Sequence, residues 1–337
     1  MTALESILHK GPAAGDHNAG LEDLRRAILL DGIPSNSEGM SELRIYTWLI
    51  LLNAPPLPHT SYADLVAQGA SPVYAKIRAD THRTLTTDPL FRRRVTENSL
   101  TRVLNAVAWK LQDAHEAHVN GWTSPRGPLG VPRSIAGDAP EFASPGRGSV
   151  TDGSEAGEGL GARETPAHIG YVQGMNVLAA PFLYASHSET AAYTAFSTLI
   201  TTQVPGYITS NMAGVHRGCA LVDQILAVVD PKLAAHLSSK GMTAEIYAFA
   251  SVLTCCACTP PLPEVLVLWD FLLAYGVHLN VLAVVAQVVL MRDGLMGSST
   301  PKPDFKPLRA RKVIDYTVNF ARKVPRDLYE QMLVHAK

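Results

Sequence analysis

Apolar residues recur at the spacing of an α-helix along most of the chain. Leu21, Leu24, Ile28 and Leu29 stand at positions i, i+3, i+7 and i+8, and the turn residues at 31–34 end this helix. The same period predicts further helices after Ser41 and over residues 88–118, 171–200 with a break near Pro181, 218–229, 231–237, 243–254, 263–275, 279–291 and 308–323. Because no stretch alternates as a strand does and no unit repeats at a fixed period, the pattern predicts an all-α fold.

The segment from residue 121 to residue 161 interrupts this helical pattern. It contains ten glycines and five prolines in 41 residues, with few large apolar side chains. Such a composition buries too little surface to offset the entropy of ordering the chain, so it predicts a disordered insertion, with bounds at 121–168. Loop closure costs little more as a loop lengthens, so the flanking segments are still expected to be neighbours. Residues 1–20 are predicted to form a flexible tail.

The overall composition argues against several classes of protein. Of the 337 residues, 47% are hydrophobic and 18% are charged, and the formal net charge is −1, which argues against general disorder and against nucleic-acid binding. The amino terminus shows no secretory signal, and no apolar stretch reaches the length of a membrane-spanning helix. Four cysteines do not form a disulfide framework in a chain of this length. These features predict a cytoplasmic chain without a membrane span.

The motifs of several familiar enzyme classes are absent from the sequence. There is no GxxxxGK phosphate loop, no GxGxxG, no GxSxG elbow and no HExxH. Cys255 and Cys258 form a CxxC pair, but no second pair or set of histidines at matching spacing completes a zinc site, so small buried thiols are expected. We therefore expect this chain to hold neither a metal nor a cofactor.

A helical stretch at residues 77–83, IRADTHR, combines an apolar, an acidic and a basic position. At 100° per residue, Asp80 lies about 60° and Arg83 about 120° around the helix from Ile77, so burial is expected to decrease from Ile77 to Arg83. Asp80 and Arg83 are three positions apart and are predicted to pair, which would hold the guanidinium in one direction. The alternative is an ordinary surface ion pair, worth at most about 1 kcal/mol.

A second polar stretch, GYVQGMN, occupies residues 170–176. The amide of Gln173 has both a donor and an acceptor, so it is suited to orient a water while it bonds a backbone group, and Gly174 would let another chain approach closely. The alternative is a helix start at which the glutamine and the asparagine of this stretch cap backbone groups. Earlier in the chain, Arg44 and Trp48 lie four positions apart on one helix surface and are expected to touch.

Together and in this order, these motifs resemble the TBC domain of Rab-type GTPase-activating proteins. The resemblance extends from about residue 21 to residue 295. It is carried by Arg44-xxx-Trp48, Ile77-xx-Asp80-xx-Arg83, Tyr171-Val172-Gln173-Gly174 and Leu266-xx-Trp269-Asp270.

This resemblance implies both a fold and a chemistry. The fold would have two helical lobes with a groove between them, the first built from residues 21–120 and 169–210 and the second from 211–337. Arg83 would be an arginine finger supplied to a partner GTPase, and Gln173 would either position the attacking water or grip the partner's switch backbone. The other motif residues would support these two: Ile77, Asp80, Tyr171, Gly174, Arg44 and Trp48. GTP and Mg²⁺ would belong to the partner, so the chain would be a GTPase activator and not itself an enzyme.

Within that family, the compact chain and segments such as YVQGMNVLAAPFLY at residues 171–184 are most similar to the fungal subgroup that restrains mitotic exit and septation. That likeness implies a Ras-like GTPase partner, a scaffold subunit and a location at the spindle pole body. Two departures are the long insertion and residues 247–249, where many relatives carry a tryptophan. The alternatives are a vesicle-traffic activator of a Rab, or a TBC module that binds a GTPase or scaffold without accelerating hydrolysis.

Basic residues form two further groups. One is the run Arg92, Arg93 and Arg94, and the other lies on the last predicted helix, at Arg309, Arg311, Lys312, Arg322 and Lys323. Both groups are expected to be ordinary helix faces whose charges are exposed to solvent. The alternative is that they form a surface for an acidic partner such as a scaffold subunit.

Overall fold

The computed structural model describes residues 2–11, 15–56, 59–119 and 170–337. This part of the chain is helical and contains no β-strand, which confirms the predicted all-α fold. None of the helices in the described ranges is long and apolar enough to cross a bilayer. The predicted insertion at 121–168 lies outside the described residues, and the division into two lobes at residue 210 stays a prediction.

Short connections join the successive helices. The α-helices are α1 Ala3–Lys10, α2 His17–Leu30, α3 Arg44–Leu51, α4 His59–Ala67, α5 Tyr74–His82, α6 Pro89–Arg94, α7 Glu97–Val119, α8 Met175–Ala185, α9 Glu189–Thr198, α10 Ala213–Val229, α11 Pro231–Ser239, α12 Ala244–Tyr247, α13 Phe249–Leu253, α14 Leu262–Tyr275, α15 Asn280–Leu290, α16 Arg292–Met296, α17 Ala310–Ala321 and α18 Arg326–Val334. A π-helical turn follows α9 at Leu199–Gln203, and 3₁₀ turns lie at Pro205–Tyr207 and Val277–Leu279.

Most predicted helices are present, but several predicted boundaries are wrong: the helix expected over 218–229 begins at Ala213, and the one expected over 243–254 is divided into α12 and α13. The helix expected over 88–118 is two helices, because Val95 after α6 is extended, with φ −108° and ψ 119°. The break expected near Pro181 does not occur there: α8 is buried along nearly its whole length, and this packing holds the helix together despite the missing proline N–H. The chain breaks instead at Ser186, which is extended, and the side chain of Ser188 caps α9.

The amino-terminal region differs from the flexible tail expected for residues 1–20. Helix α1 begins with a capping box between Thr2 and Glu5, so its first orphan N–H groups are satisfied. Leu4 is only 2% exposed, because α1 packs against α2. Helices α4 and α18 were not expected from the sequence either.

Three aromatic rings meet where α3, α8 and α14 cross. The ring centroids of Trp48 and Phe182 are 5.5 Å apart, those of Phe182 and Trp269 are 5.0 Å apart, and those of Trp48 and Trp269 are 5.8 Å apart. Helix α7 packs against both α5 and α8, and α5 also contacts α8. This packing brings the carboxyl end of α5 beside the turn that precedes α8, where the functional motifs lie.

Candidate functional site

The first half of the site is the carboxyl end of α5. Ile77 is 0% exposed and Asp80 is 2% exposed, whereas the side chain of Arg83 is 58% exposed. The decrease in burial expected from the helical spacing is therefore confirmed. The helix ends at His82 and Arg83 is its C-cap residue, and two positions later Leu85 adopts a left-handed φ of 42°, which prevents the helix from continuing.

The carboxylate of Asp80 links Arg83 to the second polar stretch. Nη2 of Arg83 lies 2.5 Å from Oδ1 of Asp80, and the hydroxyl of Tyr171 donates to Oδ2 at 2.9 Å. Burial, reinforced by this hydrogen bond, raises the pKa of Tyr171, so the phenol stays protonated and remains a donor. The predicted pairing of Asp80 with Arg83 is confirmed, and it differs from an ordinary surface pair because one partner is buried.

Asn176, in the first turn of α8, forms a second link between the two segments. Its Oδ1 accepts the N–H of Gly174 at 3.1 Å, which agrees with the capping interpretation. Its Nδ2 also donates to the carbonyl oxygen of Asp80 at 3.3 Å and to Oγ1 of Thr84 at 2.8 Å. The sequence contains no local signal for these last two bonds, because the partners lie 96 and 92 positions away.

Gln173 is exposed in the turn between Tyr171 and α8. The next residue, Gly174, has φ +105°, and a Cβ atom there would lie 2.6 Å from Cδ2 of Leu253. The sequence predicted that Gly174 lets another chain approach, but the close neighbour is Leu253 of the same chain. The glycine thus lets α13 pack directly behind the turn that presents Gln173.

The surface around Arg83 includes Lys76, a cation that the motifs did not single out. Lys76 donates to the carbonyl oxygen of Tyr171 at 3.4 Å, and its Nζ lies 5.7 Å from the centroid of that ring. Lys76 precedes Arg83 by seven positions, so the two share a helix face, and this spacing was the available signal. His82 is also exposed and pairs with Glu97 at 3.3 Å.

Comparison with known proteins places these motifs in a family. A family model described as the Rab-GTPase-TBC domain matches residues 164–296. Cell division control protein 16 of Schizosaccharomyces pombe is 37% identical over 336 residues, which cover 99% of this chain and 93% of that relative. The chain belongs to the TBC domain family.

Two further similarities support this assignment. Mitotic check point protein BUB2 of Saccharomyces cerevisiae is 34% identical to the TBC chain over 345 residues, which cover 99% of this chain and 97% of the relative. The crystal structure of the Ypt/Rab-GAP domain of Gyp1p matches with a TM-score of 0.63, over 96% of this chain and 98% of that one. At 16% identity, this second likeness is one of fold.

Arg44 and Trp48 lie in the core of the TBC domain and not at its surface. Both are 0% exposed, and both donate to the carboxylate of Asp270. Nε of Arg44 lies 3.0 Å from Oδ1 of Asp270, and Nε1 of Trp48 lies 2.8 Å from the same oxygen. The four-residue spacing thus lets both side chains reach one acceptor, and a supporting role for Arg83 stays a prediction.

The cysteines of the TBC domain are free thiols. Burial raises the pKa of the Cys255 thiol to about 12, so it stays neutral at physiological pH. Cys256 is also buried and donates to Oδ1 of Asn280 at 3.2 Å. Within the described ranges, no group of three or more His, Cys, Asp or Glu side chains is placed to hold a metal ion.

The run of three arginines divides into different roles. Arg94 donates to the carbonyl oxygens of Tyr184 at 2.7 Å and Ser186 at 3.3 Å, where the end of α8 leaves carbonyl groups without helical partners. Arg93 pairs with Glu38 at 2.7 Å. Arg94 is exposed, as the solvated-face interpretation expects, and it also caps the carboxyl end of α8.

The basic residues at α17 divide in the same way. Arg311 donates to the carbonyl oxygen of Leu29, near the end of α2, at 3.2 Å. Lys312, Arg322 and Lys323 are exposed. These three exposed side chains lie in the first turn of α17 and directly after its end, and we call them the α17 basic surface.

Proposed function

We propose that this TBC chain is a GTPase-activating protein that supplies Arg83 in trans to a small GTPase. The observation that carries the proposal is an exposed guanidinium whose direction is set by a buried carboxylate, Asp80. The charge-assisted hydrogen bond between them limits the freedom of a long side chain before any partner arrives. A structural ion pair alone would not require the arginine to face solvent.

Arg83 would act on charge that develops in the partner's active site. A small GTPase alone hydrolyses GTP slowly, and an arginine supplied in trans raises the rate by about 10³ to 10⁵. The bond to Asp80 occupies only part of the guanidinium fork, which leaves further N–H groups for phosphoryl oxygens. GTP and Mg²⁺ belong to the partner in this mechanism, and the chain contributes no cofactor of its own.

Gln173 would be the second group supplied to the partner. Its exposed amide, in a turn linked to Arg83 through Tyr171 and Asp80, is suited to orient the attacking water. The other possibility is a hydrogen bond from Gln173 to the switch backbone of the GTPase. Both roles need the glutamine and the arginine to approach the same nucleotide.

The names of the relatives suggest the process in which the GTPase acts. Two relatives matched over nearly their whole length are named as a cell division control protein and a mitotic check point protein. We therefore infer that the partner is a Ras-like GTPase that controls mitotic exit and septation. The chain would act on it together with a scaffold subunit, at the spindle pole body in the cytoplasm. A vesicle-traffic Rab is the second candidate, because the matching family model is described by Rab GTPases.

Single-turnover phosphate release across purified Ras-like and Rab GTPases tests the proposal. We expect the chain to accelerate one class, and Arg83→Ala and Arg83→Lys to lower the stimulated rate at least about a hundredfold, because lysine lacks the planar fork. Arg26→Ala, which removes an exposed arginine from α2, is the matched control and should keep the wild-type rate. Near wild-type stimulation by Arg83→Ala would show that the finger assignment is wrong, and stimulation of no GTPase would favour a non-catalytic binding module.

A charge-reversal variant tests the scaffold subunit. Deleting residues 308–337 is unsuitable, because Leu308, Val313, Phe320 and Met332 are buried and the deletion would open the core. Reversing the α17 basic surface with K312E, R322E and K323E leaves that core intact. We expect the triple variant to lose binding to an acidic scaffold candidate in a pull-down, and unchanged binding would exclude this surface.

A further inference from the structure

We infer that Asn176 and Thr84 are positioning residues that hold the Arg83 segment and the Gln173 segment at a fixed spacing. This inference rests on the proposed function, since it assigns the two residues to the same reaction. Both residues are uncharged and buried, so neither would contact the partner. They act by holding the backbone next to Arg83 and next to Gln173.

The side chain of Asn176 bonds to two backbone groups and one side chain around the site, and these bonds form a bridge between the two segments. Its Nδ2 donates to the carbonyl oxygen of Asp80 and to Oγ1 of Thr84, and its Oδ1 accepts the N–H of Gly174. Thr84 directly follows Arg83, and Gly174 directly follows Gln173. One amide therefore fixes the distance between the two segments at the residues adjacent to both functional groups.

Thr84 accepts one of these bonds and so determines which way the amide of Asn176 is oriented. Its hydroxyl donates to the carbonyl oxygen of Asp80 at 2.8 Å, so its oxygen is left to accept the N–H from Asn176. The N–H of Gly174 needs an acceptor, which places Oδ1 of the amide on that side. Only a residue with both a donor and an acceptor satisfies these two sides at once.

Burial makes the bridge sensitive to small changes. Asn176 and Thr84 are each 4% exposed, so water does not replace a lost partner. The neighbouring Leu85 is held at a left-handed φ of 42°, a conformation that a leucine keeps only when the surrounding contacts enforce it. Without the bridge, we expect the backbone at Arg83 to sample other conformations while the helices around it stay folded.

Loss of the bridge should therefore lower kcat and not the affinity for the GTPase. An arginine and a glutamine that meet one transition state must both be placed closely, and a misplacement of about 1 Å costs about a hundredfold in rate. Contacts that dock the GTPase elsewhere on the surface would be unchanged, so KM should stay constant.

The first test measures kcat and KM for stimulated hydrolysis with the GTPase as the varied substrate. We expect Thr84→Val and Asn176→Asp to lower kcat at least about tenfold with KM within about twofold, because each removes the N–H···O bond from Asn176 to Thr84 and keeps the side-chain volume. Thr84→Ser keeps the hydroxyl and should restore the wild-type kcat. Thr101→Val is the matched control: Thr101 is also 4% exposed and bonds α5 through Oγ1 of Thr81 at 3.2 Å, away from the Gln173 segment.

The second test uses the isolated chain and does not depend on any GTPase. Amide hydrogen exchange, read by mass spectrometry, should be faster at residues 172–176 in Thr84→Val and unchanged there in Thr101→Val, although the two variants have similar melting temperatures. If exchange at 172–176 is unchanged in Thr84→Val, or if Thr101→Val loses as much kcat, the positioning role is overturned. If exchange changes as expected but the wild-type chain stimulates no GTPase, the link is supported and the proposed function is overturned.

Discussion

Arg44 and Asp270 form a buried ion pair between residues that stand 226 positions apart in the chain. Their side chains are 1% and 3% exposed, and the carboxylate also accepts the indole N–H of Trp48. Burial raises the pKa of Asp270, and the Arg44 guanidinium acts against that increase. The pair therefore links α3 to α14, and each buried charge is compensated only while the other is present.

The first prediction is that Asp270→Asn destabilises the chain by about 3 to 5 kcal/mol, because it leaves the Arg44 charge buried without a counter-charge. Urea unfolding at pH 7, followed by far-ultraviolet circular dichroism, measures the change. Asp293→Asn is the matched control, since Asp293 is fully exposed and lies 3.8 Å from Arg292. Its effect should be much smaller than that of Asp270→Asn. A loss below about 1 kcal/mol for Asp270→Asn would contradict the structural role of the pair.

Much of the fold followed from helical periodicity, and the exceptions have physical causes. Helices such as α14 and α15 are buried along almost every turn, so their apolar residues are dense and easy to detect. Helix α5 buries Ile77, Asp80 and Thr81, of which only Ile77 is apolar, so periodicity alone gives little signal there. Pro181 misled the prediction because tertiary packing around α8 outweighs the local preference of proline.

The candidate site was predictable only where its contacts are local. The pairing of Asp80 with Arg83 follows from a spacing of three positions within one helix. The bonds from Tyr171 to Asp80 and from Asn176 to Thr84 join segments more than 90 positions apart, and residue type alone does not specify such a partner. In the sequence, Arg94 is only one member of a charge run. Its role as a cap could not be predicted, because its acceptors are backbone carbonyls, which every residue has.

The second prediction concerns Gly174, which has φ +105° and Leu253 packed against its α-carbon. Gly174→Ala should destabilise the chain by more than about 1 kcal/mol, because the new methyl group would strain the backbone and meet Cδ2 of Leu253 at 2.6 Å. Gly241→Ala is the matched control: Gly241 also has a positive φ, +68°, but a Cβ atom there meets nothing within 4 Å. Urea unfolding of both variants separates backbone strain from the clash, and equal losses would show that Leu253 does not constrain the turn.

The third prediction is that Gln173→Ala lowers stimulated GTP hydrolysis by less than Arg83→Ala does, with no change in stability. Gln173 is exposed, so its removal breaks no packing, and a water-positioning amide contributes less than a charge placed on the phosphoryl group. Phosphate release should be measured with the wild-type GTPase and with a variant that lacks its own catalytic glutamine. A larger loss on the glutamine-lacking GTPase would mean that the two glutamines share one role, and equal losses would favour a grip on the switch backbone.

The fourth prediction is a loss of stability on mild acidification that depends on His278. Burial, reinforced by the nearby His335, lowers the pKa of His278 from 6.5 to about 4. Between these values the unfolded chain binds a proton that the folded chain does not, so stability decreases as the pH falls from about 6.5 towards 4. The difference in pKa corresponds to about 3 kcal/mol at most.

His278→Gln should therefore reduce the slope of unfolding free energy against pH, measured by urea unfolding between pH 7 and pH 4.5. Part of the slope should remain, because burial also lowers the pKa of His335. His82→Gln, which removes a histidine whose side chain is 82% exposed, is the control variant. If His278→Gln and the wild-type chain lost stability in parallel over this range, the acid sensitivity would come from groups other than this histidine.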